Sequence, residues 1–273
     1  MLVTRPVGDA QGWVNQLEAA GLEVLQLPLI EITPVSDLRE LESAWHRISG
    51  FDAVMFVSGN AVAHFFAVEP NRAHFFSDQG PGHTRAWGTG PGTRQALLAE
   101  GVNPSRIDTP SLGAEQFDSE ALWEVVVQQV TSQSKVLIVR GTSARTNDWP
   151  GTGSAATGCT VAATGRDWLA QRLADCGCRV ETAIAYQRVP PAFTFAQENL
   201  AQRAAVDGTV WVFSSSEAVG NLVAAFPAQP WRKARAIATH PRIAQCARQA
   251  GFGVVCESRP SFDSVLASIE SLR

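Results

Sequence analysis

Four stretches of this chain put small or hydroxyl residues where an apolar run gives way to a helical pattern. They are Phe56-Val57-Ser58-Gly59-Asn60, Gly90-Pro91-Gly92-Thr93, Phe213-Ser214-Ser215-Ser216 and Thr239-His240-Pro241-Arg242. Ligands of open α/β sheets bind at the carboxyl ends of the strands, and the free N–H groups of the helix that follows favour anions. The same hydroxyls serve equally well as plain helix N-caps, so each position carries both readings. Arg5 and Arg140 stand just past two other apolar runs, where they can clamp a carboxylate bidentately or form an ordinary surface ion pair. Tyr186 is the single tyrosine. It is either an amphipathic packing residue or a hydroxyl that hydrogen-bonds a ligand or lends a proton.

Other chemistries find little support. Gly88-Thr-Gly-Pro-Gly-Thr93 lacks the third glycine and the acidic partner of a dinucleotide fingerprint. There is no Walker sequence, HExxH or G-x-S-x-G elbow. His46, His64, His74, His83 and His240 are scattered, and the five cysteines have no metal spacing. Cys176-Gly-Cys178 is C-x-C, and the odd cysteine count reads as reduced thiols of a cytoplasmic protein. The net charge of -4 and pI near 5.8 give no global pull toward nucleic acid or anionic lipid. No run is long enough to span a bilayer, and Met-Leu-Val-Thr-Arg-Pro is no signal peptide. The expectation is a cytoplasmic protein with no cofactor, metal, nucleic acid or membrane partner.

The elements that must position these residues repeat. Leu2-Val3-Thr4-Arg5 matches Leu137-Ile138-Val139-Arg140, Gly21-Leu22-Glu23-Val24 matches Gly177-Cys178-Arg179-Val180, and Pro34 matches Pro190. Phe56 to Val62 matches Phe213 to Val219, Thr89-Gly90-Pro91 matches Thr239-His240-Pro241, and Phe117-Asp118-Ser119 matches Phe262-Asp263-Ser264. Six such pairs in one order indicate a duplication. The spacing between copies widens between the first strand and Gly177, which places an insertion at residues 142–164. Its Gly, Ser, Thr and Ala bias suits a flexible surface loop.

Short apolar runs alternate with helical stretches, the pattern of parallel βαβ units. Strands are expected at 2–4, 23–27, 53–57, 85–88, 135–139, 180–184, 209–213, 235–238 and 253–256. Helices are expected at 10–20, 60–68, 92–100, 119–130, 168–175, 217–226, 241–250 and 262–272. Ser58 or Asn60, Ser215, Thr89 or Thr93, and Asp118 or Asp263 read as N-caps. Gly21, Gly101, Gly177 and Gly251 read as left-handed C-caps. Residues 28–34 and 184–191 are extended, proline-flanked and equivalent, as expected of two connecting strands. The residues alone leave open whether the halves exchange their first segments.

Taken together, these motifs resemble the uroporphyrinogen-III synthase family over nearly the whole chain. The resemblance lies in Val-Thr-Arg-Pro, Phe-Val-Ser-Gly-Asn-Ala-Val, Gly-Pro-Gly-Thr-Arg-Gln-Ala-Leu, Asp-Ser-Glu-Ala-Leu, Leu-Ile-Val-Arg-Gly, Val-Glu-Thr-Ala-Ile-Ala-Tyr and Phe-Ser-Ser-Ser-Glu-Ala-Val. It implies two flavodoxin-like parallel-sheet α/β domains joined by a two-stranded β ladder. One would comprise 1–30 with 191–273, the other 36–183, with linkers at 31–35 and 184–190. It further implies a cofactor-free monomer that converts hydroxymethylbilane to uroporphyrinogen III, inverting ring D through a spiro intermediate with loss of water. Tyr186 matches the family's linker tyrosine, a proton-donor candidate, and Thr93 matches its first-loop threonine. Arg5, Ser58, Gly59, Asn60, Gly90, Gly92, Arg140, Ser214, Ser215, Ser216, His240 and Arg242 would hold the linear tetrapyrrole. The second half departs from the pattern, with Ile243 at a threonine position and His240 at a glycine. The alternative from another class is a non-catalytic two-domain binder of a small anion.

Overall fold

Runs such as Val-Trp-Val-Phe and Ala-Val-Met-Phe are apolar at every position, as strands covered on both faces must be. A computed structural model describes residues 1–69, 73–76, 83–111, 114, 117–143 and 165–272. The elements begin with β1 (Leu2–Val3), α1 (Val7–Ala19), β2 (Leu25–Gln26), β3 (Glu31–Pro34), α2 (Arg39–His46), β4 (Ala53–Phe56) and α3 (Gly59–Val68). Next come β5 (Arg85–Gly88), α4 (Pro91–Ala99), β6 (Ile107–Asp108), α5 (Ser119–Val126), β7 (Lys135–Ser143), α6 (Gly165–Asp175) and β8 (Arg179–Val189). The last are α7 (Phe195–Ala204), β9 (Val210–Phe213), α8 (Ser216–Ala225), β10 (Arg235–Ala238), α9 (Pro241–Gln249), β11 (Val254–Glu257) and α10 (Phe262–Ser271).

The chain divides into two units, Met1–Ile32 with Val189–Arg273, and Thr33–Arg188. The first holds a sheet of order β11-β10-β9-β1-β2, all parallel. Counted along its own chain this is 2-1-3-4-5, the doubly wound flavodoxin-like order. The second holds β3-β8-β7-β4-β5-β6. Its β8-β7-β4-β5-β6 part is the same arrangement with the chain entering at the third strand instead of the first. Register preserves the duplication residue by residue. Leu2 lies opposite Trp211 and Leu25, while Leu137 lies opposite Val54 and Glu181. Arg235 lies opposite Val210 as Arg85 lies opposite Ala53.

Strand alternation sorts the core. In the first unit Leu2, Trp211, Phe213, Ala236 and Ala238 face one helical layer, and Val3, Val210, Val212 and Ile237 face the other. Trp211, Phe213, Trp231 and Phe252 form an aromatic block, with Trp231 and Phe252 stacked at 5.4 Å and 3°. In the second unit Ala53, Met55, Val136 and Ile138 pack with α5 and α6. On α3, Phe65 meets Phe56 edge-on at 5.6 Å. The edge strand β6 is pinned by Arg85, whose guanidinium donates to both Asp108 carboxylate oxygens, at 2.5 and 2.8 Å.

Gly21, Gly101, Gly177 and Gly251 take φ of 78°, 85°, 82° and 93°, the left-handed helix ends expected of them. Several boundaries differ from expectation. Residues 184–189 continue β8 past its expected end at 184, because the ladder with β7 runs from Lys135 to Ser143 apart from a bulge at Arg140 and Gly141. Thr142 and Ser143 belong to that strand rather than to an inserted loop, and residues 144–164 lie outside the described residues. Gly90, not Thr89 or Thr93, occupies the cap of α4, and Ser261, not Asp263, caps α10.

Candidate functional site

In a doubly wound sheet the crevice opens where the strand order reverses, between the first and third strands. In the second unit that point lies between β7 and β4. Ser58 follows β4 as the N-cap of α3, its Oγ accepting the Ala61 N–H at 3.2 Å. Gly59 and Asn60 open the helix. Gly59 runs close to α4: a Cβ there would stand 3.6 Å from Ala96 Cβ and 3.7 Å from the Gly92 carbonyl oxygen. Gly90 caps α4 in an extended conformation, where a Cβ would come within 2.9 Å of Phe117 Cβ. Any side chain at this position would therefore displace Phe117. Gly92 is exposed in the first turn of α4, and no atom of the described residues lies within 4 Å of where a Cβ would stand.

Arg140 sits half-buried in β7, at the bulge, beside the switch point. The next residue, Gly141, lies opposite Tyr186 of β8. The phenol ring lies directly over the glycine: a Cβ on Gly141 would be 2.4 Å from the ring's Cε2 and Cζ. Tyr186 is 2% exposed. Its hydroxyl is 3.1 Å from Ser58 Oγ, and the His64 ring of α3 stacks on it at 5.7 Å and 25°. Burial lowers the pKa of His64, which favours its neutral form. Tyr186 is thus a residue of a strand in the second unit, packed on three sides by Gly141, Ser58 and His64. Thr93 is buried too, 4% exposed, with its Cγ2 3.0 Å from where a Gly88 Cβ would stand.

The first unit repeats the arrangement. Between β1 and β9, Thr4 donates to the Val212 carbonyl at 2.7 Å and Arg5 follows it. The Arg5 guanidinium lies 4.6 Å over the Trp13 ring, and burial lowers its pKa, opposed by a smaller contribution from Asp9. Ser214 is half-buried, Ser215 caps α8 by accepting the Glu217 N–H at 3.2 Å, and the buried Ser216 Oγ has no hydrogen-bond partner among the described residues. His240, exposed, caps α9 through Nδ1, which accepts the Arg242 N–H at 3.1 Å; the Arg242 side chain is exposed. Ile243 is 6% exposed and belongs to the core. Its repeat counterpart is Thr93, so both copies use this position for packing. His240 replaces a glycine without strain, since its backbone is extended and its ring takes over the capping.

The structure therefore gathers Ser58, Gly59, Asn60, Arg140 and Tyr186 around one switch point, and Arg5 with Ser214, Ser215 and Ser216 around the other. Gly90, Gly92 and Thr93 start the helix after the next strand of the second unit, as His240 and Arg242 do in the first. Two residues of this neighbourhood were not expected. Gly141, a glycine inside a strand, is a recognisable mark of close approach. His64 carried no mark beyond its helical spacing from Asn60. Among the described residues no group of three His, Cys, Asp or Glu side chains could hold a metal ion, and no helix is long and apolar enough to cross a membrane.

The fold and its repeated switch points define a tandem, permuted, flavodoxin-like α/β protein. The profile of the family described as uroporphyrinogen-III synthase HemD matches residues 11–147 and 152–267. The chain belongs to the uroporphyrinogen-III synthase family. It is 30% identical over 141 residues to the uroporphyrinogen-III synthase of Synechococcus elongatus, covering 49% of this chain and 47% of that protein. It is 31% identical over 109 residues to the enzyme of that name from Chlorobaculum parvum, covering 38% and 39%. The chain thus spans about half the length, or less, of the curated relatives it matches. Two crystal structures share the fold at 15% identity. A mutant uroporphyrinogen III synthase from the extremely thermophilic bacterium Thermus thermophilus has a TM-score of 0.53, covering 99% of this chain and 97% of its own. The uroporphyrinogen-III synthetase of Helicobacter pylori has a TM-score of 0.55, covering 92% and 94%.

Proposed function

We propose that the chain cyclises hydroxymethylbilane to uroporphyrinogen III with loss of water, inverting ring D through a spiro intermediate, as a step of haem biosynthesis. The observation that carries this reading is the family match over both copies of the repeat. The geometry supplies what such chemistry needs. A linear tetrapyrrole bearing acetates and propionates closes by itself to the wrong isomer, so the protein must fix how its ends meet. Helix starts at Ser58, Gly90, Ser215 and His240 offer main-chain N–H groups to those carboxylates, each worth about 0.3–1 kcal/mol beyond the hydrogen bond itself. Arg5 and Arg140 add fixed positive charge despite the net -4 of the chain.

In this reading Tyr186 lends its proton to the departing hydroxyl. Thr93 acts by shaping the start of α4, since its side chain packs under Gly88. The protein works as a cytoplasmic monomer on this one small molecule, without cofactor, nucleic acid or membrane. The test supplies hydroxymethylbilane and separates the isomers formed. Uroporphyrinogen III, produced faster than the uncatalysed isomer I, is the expected result; isomer I alone at the uncatalysed rate rejects the proposal. Tyr186→Phe should cost about a hundredfold or more in turnover with the fold intact.

A further inference from the structure

Ser58 is bonded on two sides. Its Oγ accepts the Ala61 N–H at 3.2 Å, at the amino end of the ten-residue helix α3, and meets the Tyr186 hydroxyl at 3.1 Å. A phenol can donate or accept, whereas a phenolate only accepts. Whichever hydroxyl donates in the resting pair, loss of the Tyr186 proton obliges Ser58 to become the donor. The Ala61 N–H and the positive end of α3 polarise the Ser58 hydroxyl in the direction that favours this. The resting separation is long for two hydroxyls. An O–H donor to an anionic oxygen settles at about 2.5–2.7 Å, so the contact has room to tighten as charge appears.

We infer that Ser58 is a positioning residue that steadies the phenolate left on Tyr186, passing the field of the α3 amino end to the phenol oxygen. The inference rests on Tyr186 as the proton donor of the proposed reaction, and extends it to what sets that donor's proton affinity. The step balances. The Tyr186 O–H bond breaks, its proton joins the bilane hydroxyl, and the C–O bond breaks to release water. The electron pair stays on the phenolate, which regains a proton from the terminal α-carbon of ring D when the macrocycle closes. Gly141 and the bulge beside it hold the ring in place for this. Besides Tyr186, the titratable and charged groups on α3, β7 and β8 are His64, Lys135, Arg140, Arg179, Glu181 and Arg188, whose Nη2 donates to Ser143 Oγ at 2.9 Å. All of them are unchanged in the comparison below.

Because Tyr186 is the only tyrosine, biosynthetic 3-fluorotyrosine labels it alone. Free 3-fluorotyrosine has a more acidic phenol than free tyrosine because fluorine withdraws electrons, and its single fluorine can take the ring edge away from Gly141. The fluorine resonance is followed against pH in the full chain, in Ser58→Gly and in Ser58→Thr. Glycine still serves as an N-cap, so the helix start survives the loss of the hydroxyl. The titration midpoint should rise by about one pH unit in Ser58→Gly and return in Ser58→Thr. Equal midpoints in the full chain and Ser58→Gly overturn the inference. With hydroxymethylbilane, Ser58→Gly should lower kcat about tenfold with KM within about twofold, and Ser58→Thr should restore it. A change in KM alone overturns the positioning role. An unaltered chain that turns over no bilane overturns the proposed activity and the proton-donor role with it. The fluorine comparison then decides the Ser58–Tyr186 coupling by itself.

Discussion

Replacing Gly141 with alanine perturbs the site through one contact whose size the structure fixes. The added Cβ would stand 2.4 Å from Cε2 and Cζ of Tyr186 and 2.8 Å from Cδ2. Carbon atoms pack at roughly 3.5–4.0 Å, so the ring must retreat by more than about 1 Å or β7 must part from β8. Overpacking of this kind costs about 1–3 kcal/mol. The displaced hydroxyl would also leave Ser58, adding about 1 kcal/mol. For a unit the size of Thr33–Arg188 each kcal/mol shifts Tm by about 2–4 °C. Gly141→Ala should therefore lower the melting temperature of that unit by about 5–10 °C, followed by circular dichroism and tryptophan fluorescence. The cause can be isolated with Tyr186→Ala, which vacates the space. Added to that background, Gly141→Ala should have almost no further effect, a coupling near the full single-mutant loss. A Tm within about 2 °C of the unaltered chain, or a full additional loss in the Tyr186→Ala background, would refute the reasoning.

Three other perturbations have defined outcomes. Gly253→Ala places a Cβ 2.0 Å from the Arg232 carbonyl oxygen, a backbone atom that cannot swing aside. It should destabilise the other unit by about 3 kcal/mol or more in urea unfolding, and an unchanged midpoint would contradict it. Thr93→Val should hold stability within about 1 kcal/mol, because the repeat already accepts Ile243 in the core. It should also cost less turnover than Tyr186→Phe, whereas an equal loss would give the Thr93 hydroxyl a chemical role. Burial depresses the pKa of His64 in the folded chain relative to its ordinary 6.5. The folded state then binds this proton less readily than the unfolded one, so the contribution to stability is full above about pH 6.5 and drains away as pH falls through the folded value. Urea midpoints from about pH 7.5 downward should fall less steeply for His64→Gln; parallel slopes would refute this.

The duplication made most of this fold readable from residues. Phe56 to Val62 and Phe213 to Val219 announce themselves by likeness, and each central strand lies where its apolar run stands. What escaped was either too short or locally ambiguous. The edge strand β6 has two residues, and its place depends on Arg85 reaching Asp108. Helix α2 is charged, yet Leu41, Ala44 and Trp45 fall on one buried face. Helix α7 was signalled by a capping box, Thr194 with Gln197, that outranks the prolines before it. Strand β8 outran its expected end because pairing with β7, not local propensity, sets its length. At the site, residue types pointed to the strand ends but not to burial. Nothing in the spacing of Tyr186 and Ser58 says that a strand would carry one hydroxyl onto the other, or that Gly141 would make room. Thr93 and Ser58 look alike as loop hydroxyls, and only packing separates them.

The proposed function turns on whether main-chain N–H groups at the strand ends within each unit bind tetrapyrrole carboxylates. The most direct measurement is a ¹⁵N-amide titration of the full chain with uroporphyrinogen III under nitrogen. Saturable shifts at Asn60 and Gly92 of the second unit, and at Ser216 and Arg242 of the first, are the predicted result. No saturable shift at these positions, or shifts gathered instead around Asp52 and His83 at the opposite end of the β4 and β5 strands, would contradict it.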